Sequence, residues 1–218
     1  MFFENKNVKK IHDKIFYYPN FISLKKVKEI NDAMKKYSLD KIRAMDNPDP
    51  IDWYKGKISP VIPELMEVWE EINIFLSPEY IVHPQLHLQV IHPGDNGMFL
   101  HSDSPGEHNE DMLTQNDKWN TCCIIHYGLV VYFGEFEGGE NYYPKQNIEF
   151  KVNPGDMVIH GAHDDTMHGV REVTSGYRYA YANFVLPKEK NPGSFYAYDT
   201  EAHEKRKNNL ELWLTPLS

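Results

Sequence analysis

The chain has 218 residues, of which 41% are hydrophobic and 25% are charged, and its formal net charge is −9. This length is sufficient to bury a core, and this composition excludes a disordered chain. No apolar run approaches the roughly 18 residues of a transmembrane helix, so no membrane span is expected. The acidic charge repels phosphate backbones, so a nucleic-acid partner is disfavoured.

The cysteines are a reason to expect a reducing environment. Cys122 and Cys123 are adjacent in an apolar run. Neighbouring residues of a strand point to opposite faces, so a disulfide between these two would be strained. The first residues lack the apolar segment of a secretory signal. We therefore expect a cytoplasmic location.

Two amphipathic helices are predicted in the first third of the chain. Residues 23–36 and 59–76 each repeat apolar side chains at the spacing of one helical face. Ser23 is suited to cap the first helix, and Pro60 and Pro63 suit the first turn of the second. We expect residues 1–78 to form an N-terminal helical layer.

From residue 79 the apolar pattern changes from helical spacing to short β-type runs separated by turns. No helical pattern lies between them, which favours a sandwich or jelly roll over a parallel α/β sheet. The polar stretch 104–118 is predicted to be a surface loop, long enough for a lid or a binding loop. Residues 188–218 are predicted to be a tail with a short helix. The predicted runs are 80–91, 98–103, 121–133, 140–144, 148–152, 156–160, 168–173 and 177–186.

The sharpest local feature is His101-Ser102-Asp103. Positions i and i+2 of a strand project to the same side, so this imidazole and carboxylate can share a cation. Two histidines and one carboxylate leave three positions open on Fe(II) for a cosubstrate and O₂. The same spacing recurs at His163 and Asp165. We favour the first pair because it ends an apolar strand and is followed by more strands and histidines.

A third ligand and an anion site are expected further along the chain. In YRYAYANF, alternation puts Arg178, Ala180 and Ala182 on one face, which leaves room beside the guanidinium. Arginine binds a carboxylate through two parallel hydrogen bonds, so the pocket suits a dicarboxylate. His160 is also a candidate for orienting a ligand. The candidates for the third ligand are His126, His160, His163 and His168.

The order of these motifs resembles a known family. Together they resemble the prolyl 4-hydroxylase-like branch of the Fe(II)/2-oxoglutarate oxygenases, over roughly residues 80–187. The stretches HPGDNGMFLHSD and YFGEFEGGENYYP are similar to the segments around the family's metal motif. The motifs are H-S-D (101–103), F-E-G-G-E (136–140), V-N-P-G-D (152–156) and H-G-V-R-E-V-T-S-G-Y-R (168–178).

The resemblance implies a mainly β (α+β) chain with a double-stranded β-helix, that is, a cupin-like jelly roll. The N-terminal helices would pack on one face, in a single domain over 1–218 with a core at 79–187. It implies iron ligands and cofactor-binding residues. Tyr132 would lie near the cosubstrate, and His92 replaces a tyrosine that precedes Pro-Gly in close relatives. The implied metal ligands are His101, Asp103 and His168, and the implied cofactor-binding residues are Arg178, Tyr132 and His92.

The implied reaction oxidises 2-oxoglutarate to succinate and CO₂ with O₂, and it hydroxylates an unactivated C–H bond. Ascorbate is a candidate reductant. Our first hypothesis for the substrate is a prolyl or other residue of a peptide or protein, which the polar loop 104–118 favours. The alternative is the same chemistry on a free amino acid or small metabolite. A third hypothesis is a cupin-like module that binds a ligand or metal without redox chemistry. The oligomeric state is left open.

Overall fold

The computed structural model describes residues 8–36, 63–82, 87–103 and 125–188. Both cysteines, the predicted loop 104–118 and the tail beyond residue 188 lie outside these ranges. Helix α1 spans Leu24–Lys36, and helix α2 spans Pro63–Phe75. The strands are β1 (Lys9–His12), β2 (Ile15–Tyr18), β3 (Tyr80–Val82), β4 (His87–Ile91), β5 (Met98–His101), β6 (Tyr127–Tyr132), β7 (Phe136–Gly138), β8 (Asn141–Tyr143), β9 (Ile148–Phe150), β10 (Met157–Gly161), β11 (His168–Val170), β12 (Val173–Gly176) and β13 (Arg178–Pro187).

The main sheet has the order β1-β2-β10-β6-β13-β3, and β4 also pairs with β13. A smaller sheet has the order β5-β11-β8-β9, and β7 pairs with β12. The described strand pairs are all antiparallel. These two sheets and the absence of parallel pairing in the described ranges agree with the predicted mainly β architecture.

The helices begin where local chemistry favours it. The backbone N–H of Lys26 donates to Ser23 Oγ at 3.2 Å, which satisfies a free donor of the first turn of α1. Helix α2 starts at Pro63, whose missing N–H costs nothing at a first position. Both predicted helices are therefore confirmed. Among the described residues, neither helix has the length and apolar character needed to cross a membrane.

The amino-terminal region also contains strands, which the predicted helical layer over 1–78 did not include. Strands β1 and β2 form a hairpin around Asp13 and Lys14, and β2 pairs with β10 at the edge of the main sheet. The run IFYY of β2 is short, so its strand character depends on this long-range pairing more than on its own pattern.

Two cores lie on opposite faces of the main sheet. The helix-side core lies between the sheet and the two helices, and the inner core lies between the main sheet and the smaller one. The helix-side core includes Val27, Ile30, Met34, Leu65, Val68, Ile72, Leu129, Val131, Met157, Ile159, Tyr179 and Tyr181. The inner core consists of Ile91, Tyr132, Phe136, Val152, Val158, Val170, Val173 and Ala180.

Candidate metal centre

Strand pairing brings the predicted metal ligands together. His101 is the last residue of β5, and it lies directly opposite His168, the first residue of β11. Their imidazole rings are 4.5 Å apart between centroids. Asp103 follows His101 by two residues, so its carboxylate points to the same side. Residues 67 positions apart in the chain thus meet because two short strands are in this register.

The three side chains face one point through specific atoms. Asp103 Oδ1 lies 3.8 Å from His101 Nε2 and 3.9 Å from His168 Nε2. The ligand atoms of the group all lie within 4.8 Å of one another. Two imidazoles and one carboxylate are the donor set of a non-haem Fe(II) site with open positions.

Backbone carbonyls hold the two imidazoles in the orientation that a metal requires. His101 Nδ1 lies 2.9 Å from the carbonyl oxygen of Phe99, and His168 Nδ1 lies 3.2 Å from that of Thr166. A carbonyl can only accept, so each Nδ1 carries the proton and donates it. Each Nε2 then has a free lone pair directed at the group, as in metal sites where the other ring nitrogen is anchored.

Burial and neighbouring imidazoles set the charges of the group. Burial alone would raise the pKa of Asp103, but His168, His160 and His101 together lower this pKa to about 2. Burial, and then the nearby His160, lowers the pKa of His168 to about 3. The carboxylate is therefore ionised and His168 neutral near pH 7, which are the forms that bind a cation.

The segment between β10 and β11 is tied to the end of β5. The Ser102 hydroxyl donates to Asp164 Oδ1 at 2.8 Å, and the Lys145 ammonium donates to the Asp164 carbonyl at 2.5 Å. Thr166, whose carbonyl anchors His168, donates its own hydroxyl to the Gly161 carbonyl at 2.6 Å. These bonds connect the two chain segments on which the candidate ligands stand.

Of the other histidines considered as a third ligand, His160 contacts the candidate group, whereas His126 and His163 have other neighbours. His126 lies beside Tyr80, with Nδ1 3.3 Å from the tyrosine hydroxyl. His163 precedes a short 3₁₀ turn at Asp164–Thr166. His160 contacts Asp103, with Nε2 3.1 Å from Oδ2, and its ring is 3.9 Å from that of His168. Of the four candidates, His168 is the one grouped with His101 and Asp103.

Arg178 lies in the interior at the start of β13, with 1% of its surface exposed. Its Nη1 donates to Gln89 Oε1 at 3.1 Å, and its Nη2 donates to Asn141 Oδ1 at 3.2 Å. The guanidinium also lies over the Tyr132 ring, 5.0 Å from its centroid. Within the described ranges, its Nε has no hydrogen-bond partner. In the described part of the chain no carboxylate pairs with Arg178, so its polar contacts there are with neutral groups.

Tyr132 lies beside this guanidinium, as the sequence analysis expected of a residue near the cosubstrate. Its hydroxyl accepts a hydrogen bond of 2.9 Å from Asn141 Nδ2. Burial raises the pKa of Tyr132, and Arg178 opposes this effect. The hydroxyl is thus protonated near pH 7 and can still donate. Asn141 and Gln89 were not predicted, because their role depends on which strands lie next to β13.

Strand β8 connects the guanidinium to the candidate metal ligands. Asn141, at its start, contacts Arg178, whereas Tyr143, two residues later, contacts His160 with its hydroxyl 2.7 Å from Nδ1. Positions i and i+2 of a strand lie about 7 Å apart on one face. One face of β8 therefore contacts both Arg178 and the histidine that adjoins Asp103.

His92 lies at the end of β4 in a different setting. Its ring packs against Tyr177, with the centroids 5.0 Å apart, and its backbone N–H donates to Asp95 Oδ2 at 2.9 Å. Tyr177 is 46% exposed and directly precedes the buried Arg178, so the two side chains point to opposite faces. These contacts give no support to cofactor binding by His92, which stays a prediction.

Comparison with known proteins places the chain by its fold. No protein-family model and no curated protein matches it. The viral collagen prolyl hydroxylase of Paramecium Bursaria Chlorella virus-1, solved as a 2OG complex, is 15% identical with a TM-score of 0.53, covering 80% of this chain and 96% of that one. NgTET1 in complex with 5mC DNA is 15% identical with a TM-score of 0.53, covering 88% and 80%.

A prolyl hydroxylase from Trichoplax adhaerens, bound to a peptide of the hypoxia inducible factor oxygen degradation domain, is 10% identical with a TM-score of 0.50, covering 82% of this chain and 86% of that one. These similarities confirm the predicted double-stranded β-helix and, at the level of the fold, the predicted resemblance. The chain therefore has the fold of the Fe(II)/2-oxoglutarate oxygenases of the prolyl 4-hydroxylase-like branch.

Proposed function

We propose that the chain is an Fe(II)- and 2-oxoglutarate-dependent dioxygenase that hydroxylates a prolyl or other residue of a peptide or protein. One oxygen atom of O₂ enters the substrate as hydroxyl and the other enters succinate, with release of CO₂. The observation that supports this best is the buried Arg178, whose partners in the described ranges are neutral, in a chain that also groups His101, Asp103 and His168.

The buried guanidinium of Arg178 is positively charged and would be stabilised by a bound anion. A fully buried charge without a counter-ion is costly, and a protein interior retains one where a ligand supplies the opposite charge. Gln89 and Asn141 each occupy one terminal nitrogen of Arg178 and hold the guanidinium plane fixed. A carboxylate can then bind to the remaining donors, with the Tyr132 hydroxyl as a further donor. This is the proposed position of the distal carboxylate of 2-oxoglutarate.

The donor set fits an iron ion. His101, Asp103 and His168 would hold Fe(II) through Nε2, Oδ1 and Nε2, the atoms that face one another. When bound, the metal supplies the activation of O₂ that carbon–hydrogen hydroxylation requires. Asn141 and Tyr143 of β8 contact Arg178 and His160, so this strand links the proposed carboxylate position with the surroundings of the proposed metal ligands.

The protein's own contribution is to orient the reactants and to keep water away. Tyr132, Ala180 and Ile91 are buried, and Ile91 lies opposite Arg178 in the neighbouring strand. The guanidinium therefore lies among buried groups, where fixed donors bind a carboxylate more strongly than the same groups in water.

The substrate would approach over the open end of β5. Phe99 is 63% exposed, and its ring centroid is 5.4 Å from that of His101. Leu100 is also exposed, at 40%. An exposed aromatic ring next to a reactive centre can pack against a prolyl ring or another apolar side chain. Peptide binding by the Trichoplax adhaerens enzyme and the name of the viral collagen prolyl hydroxylase support a peptide substrate.

The direct test is a succinate-release assay with Fe(II) and 2-oxoglutarate. Substrates would be a proline-rich peptide panel, free amino acids and a 5-methylcytosine DNA duplex, with mass spectrometry for the gain of one oxygen atom. We expect peptide-dependent succinate release together with peptide hydroxylation. The Arg178→Met and His101→Ala variants serve as controls and should release none.

The other outcomes separate the alternatives. Turnover with free amino acids alone would replace the peptide proposal by a small-metabolite oxygenase. Turnover with DNA alone, as the NgTET1 complex would suggest, would overturn the expectation from the −9 charge. No 2-oxoglutarate consumption by iron-loaded protein, with any substrate, would contradict the dioxygenase proposal and favour a non-redox binding module.

Three further expectations belong to this proposal. The chain would act as one domain over 1–218, it would work in the cytoplasm, and ascorbate would serve as a reductant that restores Fe(II). Omitting ascorbate should then shorten the linear phase of succinate release without lowering its initial rate. A rate that is independent of ascorbate throughout the assay would contradict the last expectation.

A further inference from the structure

The two carboxylate oxygens of Asp103 have different neighbours. Oδ1 faces His101 Nε2 and His168 Nε2 at 3.8 and 3.9 Å. Oδ2 lies 3.1 Å from Nε2 of His160, which is 3% exposed. The first oxygen is therefore directed at the candidate metal position, and the second is engaged by a third imidazole.

A chain of donors fixes the direction of this contact. The Tyr143 hydroxyl lies 2.7 Å from His160 Nδ1, and burial raises the pKa of Tyr143 well above its ordinary value. The carboxylate oxygen at His160 Nε2 accepts, so the imidazole carries a proton on Nε2 and the Tyr143 hydroxyl donates to Nδ1. Nε2 then donates to Asp103 Oδ2. The hydrogen bonds thus lead from Tyr143 to His160 and from His160 to Asp103, and each donor faces an acceptor.

Gly128 leaves the space that these hydrogen-bonded side chains occupy. It lies in β6 directly opposite His160 in β10. A Cβ atom at this position would lie 2.0 Å from Asp103 Oδ2 and 2.3 Å from His160 Nε2. A glycine weakens the middle of a strand, and it is typical of places where another group approaches the backbone closely. Here the groups that approach are the Asp103 carboxylate and the His160 imidazole, which contact each other.

We propose that His160 is a positioning residue that holds Asp103 as a ligand through one oxygen only. The inference rests on the proposed function, since it concerns the same metal site. An aspartate with a free second oxygen can bind a cation through both oxygens and fill one more coordination position. His160 occupies Oδ2, so the positions needed by 2-oxoglutarate and O₂ stay open.

The test compares variants that differ in the donor at this position. His160→Leu removes the donor, whereas His160→Gln places an amide N–H at a similar reach. Mn(II), which binds without reacting, is titrated calorimetrically into each apoprotein, and 2-oxoglutarate is then titrated into the Mn(II) form. Thermal unfolding of each apoprotein measures folding separately.

We expect His160→Leu to weaken Mn(II) binding roughly tenfold to a hundredfold, the usual effect of losing a partner of a metal ligand. His160→Gln should stay within about threefold of wild type, because it keeps the donated hydrogen bond. Tyr143→Phe, which keeps the ring and removes the hydroxyl, should have an intermediate effect because His160 is then free to change tautomer. The order wild type, Gln, Leu would support the inference.

The failures are distinguishable. Mn(II) binding to His160→Leu that equals wild type would overturn the inference and leave the proposed function intact. Equal losses in the Gln and Leu variants would also overturn it, since packing and not hydrogen bonding would then be the cause. If wild type itself binds no Mn(II), the proposed function fails as well. Should His160→Leu not fold, the Tyr143→Phe and Gln variants decide the question.

Discussion

The two faces of the main sheet bury different kinds of side chain although they share the same strands. On the helix side, Leu129, Ile159 and Tyr181 project into an apolar core that seals against α1 and α2. On the inner side, the same three strands carry Gly128, His160 and Arg178, and His160 contacts Asp103 of the candidate metal group. The comparison suggests that one face provides the stability and the other the chemistry.

This separation has a physical reason. A strand alternates its side chains, so one face can be optimised for packing without constraining the other. Buried polar groups such as Arg178 and His160 reduce stability unless a partner compensates them, and a continuous apolar core on the far side offsets that loss. Substitutions on the two faces should therefore affect different measurements.

The largest expected effect is on the inner face. Arg178→Met should weaken 2-oxoglutarate binding about a thousandfold, because it removes the charge and all the N–H donors of the guanidinium. The apoprotein should not lose thermal stability, since methionine replaces a buried charge whose described partners are neutral. Calorimetric titration of the Mn(II)-loaded protein measures the affinity for 2-oxoglutarate. A thermal melting curve of the apoprotein measures its stability. Binding within tenfold of wild type would contradict the anion site.

The matching change on the helix side is Ile30→Ala. Ile30 is completely buried in α1, so the cavity left by its truncation should lower the free energy of unfolding by about 3 kcal/mol. Mn(II) and 2-oxoglutarate affinities, measured well below the melting temperature, should stay within a factor of about two, because the residue contacts the other face. A large fall in either affinity would show that the two faces are coupled. Urea denaturation provides the stability value.

Gly128→Ala and Leu129→Ala test the separation within one strand. The added methyl at Gly128 would collide with the Asp103–His160 contact, so Mn(II) affinity should fall about thirtyfold, the scale of a lost ligand partner. Leu129 projects to the helix side, so its truncation should lower stability and leave Mn(II) affinity unchanged. The reverse pattern would mean that the strand's faces are assigned wrongly.

The smallest expected effect concerns the cap of α1. Ser23→Ala removes the acceptor for the Lys26 backbone N–H and should lower the free energy of unfolding by about 1 kcal/mol. Ser23→Asp keeps an acceptor and should restore the loss. Metal binding should be unaffected by either change. A Ser23→Ala variant as stable as wild type in urea would show that the cap contributes nothing measurable.

Local patterns predicted a sandwich or jelly roll and the pair His101 and Asp103, whereas His168 was selected from four histidines by the family resemblance. His101 and Asp103 are two residues apart, and alternation alone places them on one side of a strand. The helical spacing of 23–36 and the cap at Ser23 are equally local. The hairpin β1–β2 was missed because four-residue strands acquire their structure from pairing with β10, which lies far away in the chain.

The rest depends on strand order and register, which a single sequence does not reveal. Asn141 and Gln89 matter because β8 and β4 bring them to Arg178 from positions 37 and 89 residues away in the chain. His160 could be named only as a candidate, since its contact with Asp103 joins β10 of the main sheet to the end of β5 in the smaller sheet. A glycine inside the apolar run YGLVVY was the available signal for a close approach at Gly128.

The bond between Ser102 and Asp164 ties together the two segments that flank the metal group, and Thr166 and Phe99 fix the rings by their carbonyls. All of these hydrogen bonds join groups of the protein itself. The folded protein should therefore tolerate repeated stripping by a chelator and reloading without passing through an unfolded state. The occupancy of the proposed iron site in a cell would then depend on the supply of ferrous iron. The apoprotein would stay folded and inactive whenever iron is scarce.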